Sequence, residues 1–454
     1  LGQEALQTYL RPKNFVFLVL FLKLFHDYLP MTRKRGEHVQ QELITFRLHP
    51  AISMPILSSL RDIAASQVGH PNLDWAIEKL ANFLAGEEMY RVEYGLDNIK
   101  VSMHSHAFVH PLTSFLSYLI QFNGYSVLYP MLEDQSRAII VLSDASLRSI
   151  VLGSQIKIGF WIRNGISASR QASMYFGPIM SDFTFARDVH LQQIALLMGN
   201  PEEMVSHFLA RWELSDWFSN RVEYTDTIYE ERFFSIVERF VGFVYKLLTD
   251  RSMFSRLSFK EAELKETRKF LAYYLCEKAR NYTKLKTKVD SDICDLPVFD
   301  EILYEIADYQ PPSSLLGTGL YRLKDSEYKQ LDPMGLFLDP SKFQVLYDVL
   351  IKKLSKTQNV KEDEVILAPS ISLSGYSFVD NEIGAFLKTK FFVKVIHKLL
   401  RVAIDSGNES YLPQLLHLIH AIILDDERIH GKDYLAELLV DIPICDLLLT
   451  ICLL

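Results

Sequence analysis

Through the middle of the chain, apolar residues return every three or four positions, segment after segment, with turn residues between the segments. Ser143 to Arg163 carries Leu147, Ile150, Val151, Ile158, Trp161 and Ile162, and Asn164-Gly165 stops it. Asp188 to Met198 and Pro201 to Trp212 follow as a helix pair parted by Gly199-Asn200. Ile228 to Leu248 repeats the pattern at Phe233, Ile236, Val237, Phe240, Val244 and Leu247. A helix with one apolar stripe hides it only against other helices, so the pattern predicts a mostly α, multi-helix scaffold. No fixed-length repeat with a recurring signature accompanies it, so armadillo or HEAT repeats are not read from the sequence.

With 454 residues, 49% of them hydrophobic and 23% charged, the chain has material for about three domains and is not disordered. Residues 41 to 125 read as short helices broken by prolines and glycines. Asp74 to Leu84 has Trp75, Ile77, Leu80 and Leu84 at helical spacings, and Lys100 to Met103 is an extended lead into a helix opening at Pro111. Phe15 to Phe25 is almost continuously apolar, but a bilayer needs roughly 20 residues and no small-residue cleavage site follows. A buried helix is expected there.

Residues 258 to 333 differ. Ser258 with Glu261 forms a capping box for a helix to about Arg280, and Tyr282 to Val289 gives a short second helix. Pro297 opens a third, with Phe299, Ile302, Leu303 and Ile306 on one face. Gly317-Thr-Gly319 then leads into strand-like Leu320 to Leu323. Three helices and a small hairpin describe a winged-helix module embedded in the scaffold. The expected organisation is a helical scaffold over 1–257, the winged helix over 258–333 and a C-terminal helical region over 334–454. That last region holds helices at Pro340 to Lys356, Ile383 to Ile404, Tyr411 to Leu424 and Lys432 to Leu454. The apolar run reaching Leu454, and the start at Leu1, read as the edges of a longer protein.

No constellation in the sequence supports catalysis. His104-x-His106-x3-His110 could hold zinc if strand met turn, but no cysteine lies nearby and no periodicity fixes the rings. Structural histidines are the expectation. His417 and His420, ahead of Asp425, Asp426 and Glu427, read as packing and solvation. Cys276, Cys294, Cys445 and Cys452 match neither a paired zinc spacing nor a disulfide framework, so reduced intracellular thiols are expected. Cys276 has Lys278 and Arg280 nearby, yet its apolar neighbours favour core packing over a reactive thiolate. There is no Gly-x-Ser-x-Gly elbow, and Gly317-Thr-Gly319 lacks the Lys-Ser/Thr ending of a phosphate loop. Net charge is -8, and the third helix and its exit carry Asp300, Glu301, Glu305 and Asp308 without Lys or Arg. That face would repel phosphates, so protein docking is expected rather than nucleic-acid binding.

Several segments resemble the long middle region of the N-recognin family, the UBR-box RING E3 ubiquitin ligases, and its fungal members in particular. Val101-Ser-Met-His104 with His110-Pro-Leu112 is similar to one family segment. Leu147-Arg148, Gln155-Ile156 and Gly159-Phe-Trp-Ile-Arg-Asn-Gly165 resemble the next. Arg187-Asp188-Val189, Leu191-Gln192, Arg211-Trp-Glu-Leu214 and Trp217-Phe218 keep the register. Gly317-Thr-Gly319-Leu-Tyr-Arg-Leu323 resembles the family's wing, and Tyr411 to Ile419 a later helix. The resemblance implies the central, noncatalytic scaffold of a ligase working with a ubiquitin-conjugating E2, ubiquitin and substrates carrying N-terminal degrons or brought by an adaptor protein. It implies no cofactor in this segment, with zinc in a UBR box and RING elsewhere, and a cytoplasmic or nuclear setting without membrane or nucleic acid. Trp161, Arg163, Asn164 and Gly165 at a helix end, and Gly317, Gly319 and Tyr321 in the wing, are then architectural. A helical adaptor unrelated to ubiquitin is the rival reading.

Overall fold

The computed structural model describes residues 8–26, 33, 43–92, 99–128, 138–162, 165–177, 181–255, 259–287, 297–312, 317–337, 340–430 and 442–453. The chain divides into two compact units. The first comprises Leu1–Phe240, Phe378–Tyr411 and Ile429–Leu454, and the second Val241–Ser377 and Leu412–Arg428.

The first unit opens with helices α1 (Pro12–Lys23), α2 (Leu43–Ser66), α3 (Leu73–Val92), α4 (Pro111–Asn123), α5 (Ala138–Lys157), α6 (Gly165–Tyr175), α7 (Phe185–Met198), α8 (Pro201–Arg211) and α9 (Ser215–Phe218). α5 is the core helix: it is buried on every side from Ala138 to Ile156 and packs against α3, α7 and α8. Its length and apolarity would let it cross a membrane, but its whole surface is taken up by the unit's other helices. α1 buries only one face, with Phe15, Leu18, Val19 and Leu22 inside and Val16, Phe17, Leu20, Phe21 and Leu24 exposed. The buried helix expected there is thus only half buried, with apolar side chains on both faces.

Three local expectations change. α2 continues through Pro50 and Pro55, giving one long helix in place of broken short ones. Lys100 to Met103 is a turn rather than an extended lead, because the Met103 and His104 amides both donate to the Lys100 carbonyl, at 3.0 and 3.1 Å. α5 stops at Lys157, earlier than Asn164-Gly165. Gly159 takes φ +75°, its N–H reaching the Ile156 carbonyl and that of Phe160 the Gln155 carbonyl, each at 3.0 Å. This paired closure satisfies the last carbonyls and favours glycine at its left-handed position. Gly165 opens α6 instead. The α7–α8 junction is as expected: Asn200 caps α8 by accepting from the Glu202 and Glu203 amides at 3.0 and 3.1 Å.

Helix α10 (Phe233–Thr249) leads into the winged helix of the second unit, built from α11 (Phe259–Glu277), α12 (Tyr282–Lys286), α13 (Pro297–Ile306), β1 (Ala307–Gln310) and β2 (Leu320–Leu323), followed by α14 (Pro340–Gln358). The strands pair antiparallel, from Ala307 opposite Leu323 to Gln310 opposite Leu320. Arg280 and Tyr321 add a further rung through mutual backbone bonds of 3.0 and 2.7 Å. Leu271, Leu275 and Cys276 from α11, Phe299, Leu303 and Ile306 from α13, and Leu346, Leu350 and Leu354 from α14 share one core. Ser258, and with it the expected capping box, lies outside the described residues.

The rest of the chain forms α15 (Ser377–Glu382), α16 (Lys390–Ser406), α17 (Leu412–His430) and α18 (Ile444–Leu453). The helix expected from Ile383 to Ile404 starts only at Lys390, where Thr389 caps it by accepting from the Phe392 amide at 3.2 Å. On α17, Asp425 is not solvated as expected. It is fully buried against Arg251 at 2.7 Å and Arg428 at 2.8 Å. His417 Nε2 stands 3.2 Å from buried Asp332, whose other oxygen accepts from the Tyr245 hydroxyl.

Candidate interaction site

Several residues of the resemblance motifs take part in a buried polar lattice in the first unit. Trp161, just beyond the Gly159 turn, is buried and donates its indole N–H to Gln155 Oε1 at 3.1 Å. Gln155 in turn donates to the Tyr229 hydroxyl at 3.1 Å, and Tyr229 donates to the Trp212 carbonyl at 2.9 Å. Glu213 beside it accepts from Ser102 through the amide (2.8 Å) and the hydroxyl (2.7 Å). The Arg33 guanidinium stacks over Trp161, 4.7 Å from the ring centre, and donates to the Val101 carbonyl at 2.9 Å. Burial lowers the Arg33 pKa to about 10, with Glu213 acting against it.

About three turns before Gln155 on the same helix, Asp144 is fully buried among Arg148 (2.9 Å), Arg211 (2.6 Å) and His207 (3.0 Å). Burial alone would raise its pKa, but Arg148 first, then His207 and Arg211, hold the carboxyl well below its usual range. Arg187 on α7 makes a second anchor, bonding the Asp182 carbonyl at 2.8 Å and Gln121 at 2.5 Å while lying 4.1 Å over the Tyr118 ring. These bonds tie α4, α5, α7 and α8 together, leaving no catalytic group pointing into an open cleft among the residues just named. Arg163 and Asn164 lie outside the described residues.

The candidate histidines do not converge either. His104 is exposed with Nδ1 2.9 Å from the Lys100 carbonyl, His106 is buried with Nδ1 3.4 Å from Arg148, and His110 is buried with Nε2 3.1 Å from Ser149 Oγ. Among the described residues, no group of three His, Cys, Asp or Glu side chains could hold a metal ion. Cys276 is buried, and burial pushes its thiol up to about 12, so it packs as a thiol.

The wing residues belong to an open cleft of about 420 Å³ in the second unit. Tyr321 on β2 is its floor, only 7% exposed, while Tyr304 and Tyr309 stand 60% and 52% exposed. Ring centres lie 5.3 Å (Tyr309), 6.2 Å (Tyr282) and 6.3 Å (Tyr304) from that of Tyr321. Burial, then a hydrogen bond with Tyr304, pushes the Tyr321 phenol up to about 12. Tyr282 donates its hydroxyl to Asp300 at 2.7 Å. Asn281, Thr283 and Thr318 complete the rim. Gly319 leaves room for the Tyr309 ring: a Cβ there would come within 2.5 Å of Tyr309 Cε2 and 2.6 Å of Cζ and push that exposed ring aside. Gly317 lies exposed on the approach to β2. Sequence reading found Tyr321 and Gly319 but missed Tyr282, Tyr304 and Tyr309. Tyrosines clustering between 282 and 321 were the available signal.

The fold is a mostly helical, multi-helix one stitched by buried ion pairs and containing a winged helix with an aromatic cleft. Comparison with known proteins agrees. A family profile described as UBR1/2/3-like ARM repeat domain matches residues 22–243, and one described as E3 ubiquitin-protein ligase UBR1-like, winged-helix domain, matches residues 266–365. E3 ubiquitin-protein ligase UBR1 of Saccharomyces cerevisiae is 34% identical over 97% of this chain and 23% of its own length. UBR2 of the same yeast is 26% identical over 72% of this chain and 18% of its own length, and human UBR2 is 22% identical over 96% and 26%. The chain belongs to the UBR1/UBR2-like family of E3 ubiquitin ligases, and it spans about a fifth to a quarter of the length of these relatives. The armadillo-repeat match corrects the sequence reading, which found no repeat signature. Each stacked helix needs only an apolar face toward its neighbours, so packing can recur while residues drift.

Proposed function

We propose that this chain is the noncatalytic central scaffold of a RING-type E3 ligase of the N-degron pathway, acting in the cytoplasm or nucleus. The helical parts, 1–257 and 334–454, hold a degron receptor and a RING-bound E2 at a workable separation, with the winged helix at 258–333 as a docking module. Zinc belongs to the UBR box and RING of the whole protein. The observation that carries the reading is the fate of the motif residues: Arg148, Gln155, Trp161, Arg187 and Arg211 are spent on internal bonds, of which Arg187–Gln121 joins α7 to α4 and Arg211–Asp144 joins α8 to α5. Ubiquitin transfer by a RING ligase is proximity chemistry, in which the orientation of the charged E2 and substrate lysine sets the rate. A stiff helical body serves that better than a flexible linker.

The test uses the full-length protein with E1, E2, ubiquitin, ATP and matched reporters that begin with Arg, Leu or Met. Arg and Leu reporters should be modified and the Met reporter spared. Asp144→Ala should slow transfer to the reporter while E2 discharge onto free lysine continues. Ubiquitin chains without N-terminal discrimination would replace direct degron recognition by adaptor delivery. No transfer with a charged E2 present would end the ligase reading for this protein.

A further inference from the structure

We infer that the tyrosine cleft of the winged helix is a binding site for a cationic side chain, arginine or lysine, on a basic segment of a partner protein. Aromatic faces attract cations placed within about 6 Å of the ring centre, and several rings around one cavity sum that attraction. Here Tyr282, Tyr304 and Tyr309 surround Tyr321 at centre distances of 5.3 to 6.3 Å. The cleft is large enough for one long side chain and open enough for a chain to lie across it. Charge complementarity selects the occupant. Asp300 accepts from the Tyr282 hydroxyl at 2.7 Å, which raises the electron density of a ring that lines the cleft. On α13, Asp300 and Glu301 lie four and three residues before Tyr304, on the same helical face, and the helix carries no basic residue. Lys286 already sits 5.6 Å from the Tyr282 ring centre, an intrachain example of the contact. The same carboxylates disfavour a nucleic-acid strand, which would otherwise suit an aromatic platform.

This inference does not rest on the ligase reading, since the cleft lies wholly within the second unit and its test involves no ubiquitin. The 454-residue chain, deuterated and 13C-labelled in its tyrosine rings, would be titrated with capped pentapeptides of glycine and serine around one central arginine, lysine, citrulline or norleucine. The arginine and lysine peptides should shift Tyr304, Tyr309 and Tyr321 resonances and bind about tenfold more tightly than the neutral two. The two cationic arms tell guanidinium from ammonium. Tyr309→Ala, at an exposed position that does not threaten folding, should abolish the difference. Gly319→Ala, which forces the Tyr309 ring aside, should weaken it, and Asp300→Asn should reduce it in proportion to its loss at high salt. Equal binding of citrulline and arginine, undiminished binding to Tyr309→Ala, or no shift at tens of millimolar peptide would each overturn the proposal.

Discussion

Asp144 shows how much of the first unit depends on single side chains. Taking its carboxylate away leaves Arg148 and Arg211 buried without their counter-charge. Breaking one partner of a buried ion cluster costs about 3–5 kcal/mol, so Asp144→Ala should lower the chain's unfolding free energy, read from urea titration, by that much. A loss under about 1 kcal/mol would mean that water reaches the site. Asp188 makes the opposite electrostatic case. It is buried, accepts from the Tyr175 hydroxyl at 2.5 Å, and burial pushes its carboxyl up to about 8. Between its unfolded value of about 3.9 and that folded value, the native state holds a proton the unfolded chain has released. Its contribution is therefore present in full below pH 4 and lost as pH rises to about 8. His190 runs the other way: burial lowers its pKa, so its contribution is lost as pH falls below about 6.5. Asp188→Asn, which imitates the protonated carboxyl, should remove the first slope and keep the second, so the urea midpoint of the variant should rise relative to that of the parent between pH 5 and 8. Parallel curves would contradict this. The sequence named Arg148, Arg187, Asp188 and Arg211 by resemblance. It could not say that Asp144 and His207 complete one of their clusters, because those partners meet only when α5 and α8 pack.

Helices were legible as elements and poorly legible at their ends. Periodicity places α5, α7, α8 and α10 because burying one face is a local demand. The ends answer to distant residues. Glu213 and Asn220 take left-handed backbone at φ 54° and 58°, positions where glycine would be the sequence signal. Ser102, 111 residues away, holds the Glu213 carboxylate, and Lys398 Nζ bonds Asn220 Oδ1 at 2.6 Å and the Phe218 carbonyl at 3.0 Å. Gly159 is the local case, and it tests the distinction. Gly159→Ala should cost about 1–2 kcal/mol, because φ +75° crowds any Cβ although nothing else lies within 4 Å. Gly86 in α3 also has open space for a Cβ and ordinary helical backbone, so Gly86→Ala should stabilise by about 0.5–1 kcal/mol. Opposite shifts in thermal midpoint are expected; shifts of one sign would remove the backbone explanation. The cleft follows the same logic. Tyr321 stood out in the wing, whereas Tyr282 and Tyr304 come from two helices and Tyr309 from the partner strand, and only the winged-helix topology gathers them.

At the scale of the whole molecule, the described thiols and imidazoles carry a prediction about metal. The folding of this chain should stand on apolar burial and buried ion pairs. A zinc ligand must be a thiolate or a neutral imidazole aimed at a shared point. Cys276 is held as a thiol by burial and sits in the winged-helix core, far along the chain from Cys445 on α18. His106 and His110 spend ring nitrogens on Arg148 and Ser149, while His104 turns to the Lys100 carbonyl. Elemental analysis of the purified chain should therefore give well under one zinc per molecule, and EDTA should leave its thermal midpoint unchanged. One equivalent of zinc, or a midpoint that falls by several degrees on chelation, would return the histidine cluster to consideration and add a bound metal to what holds this chain folded.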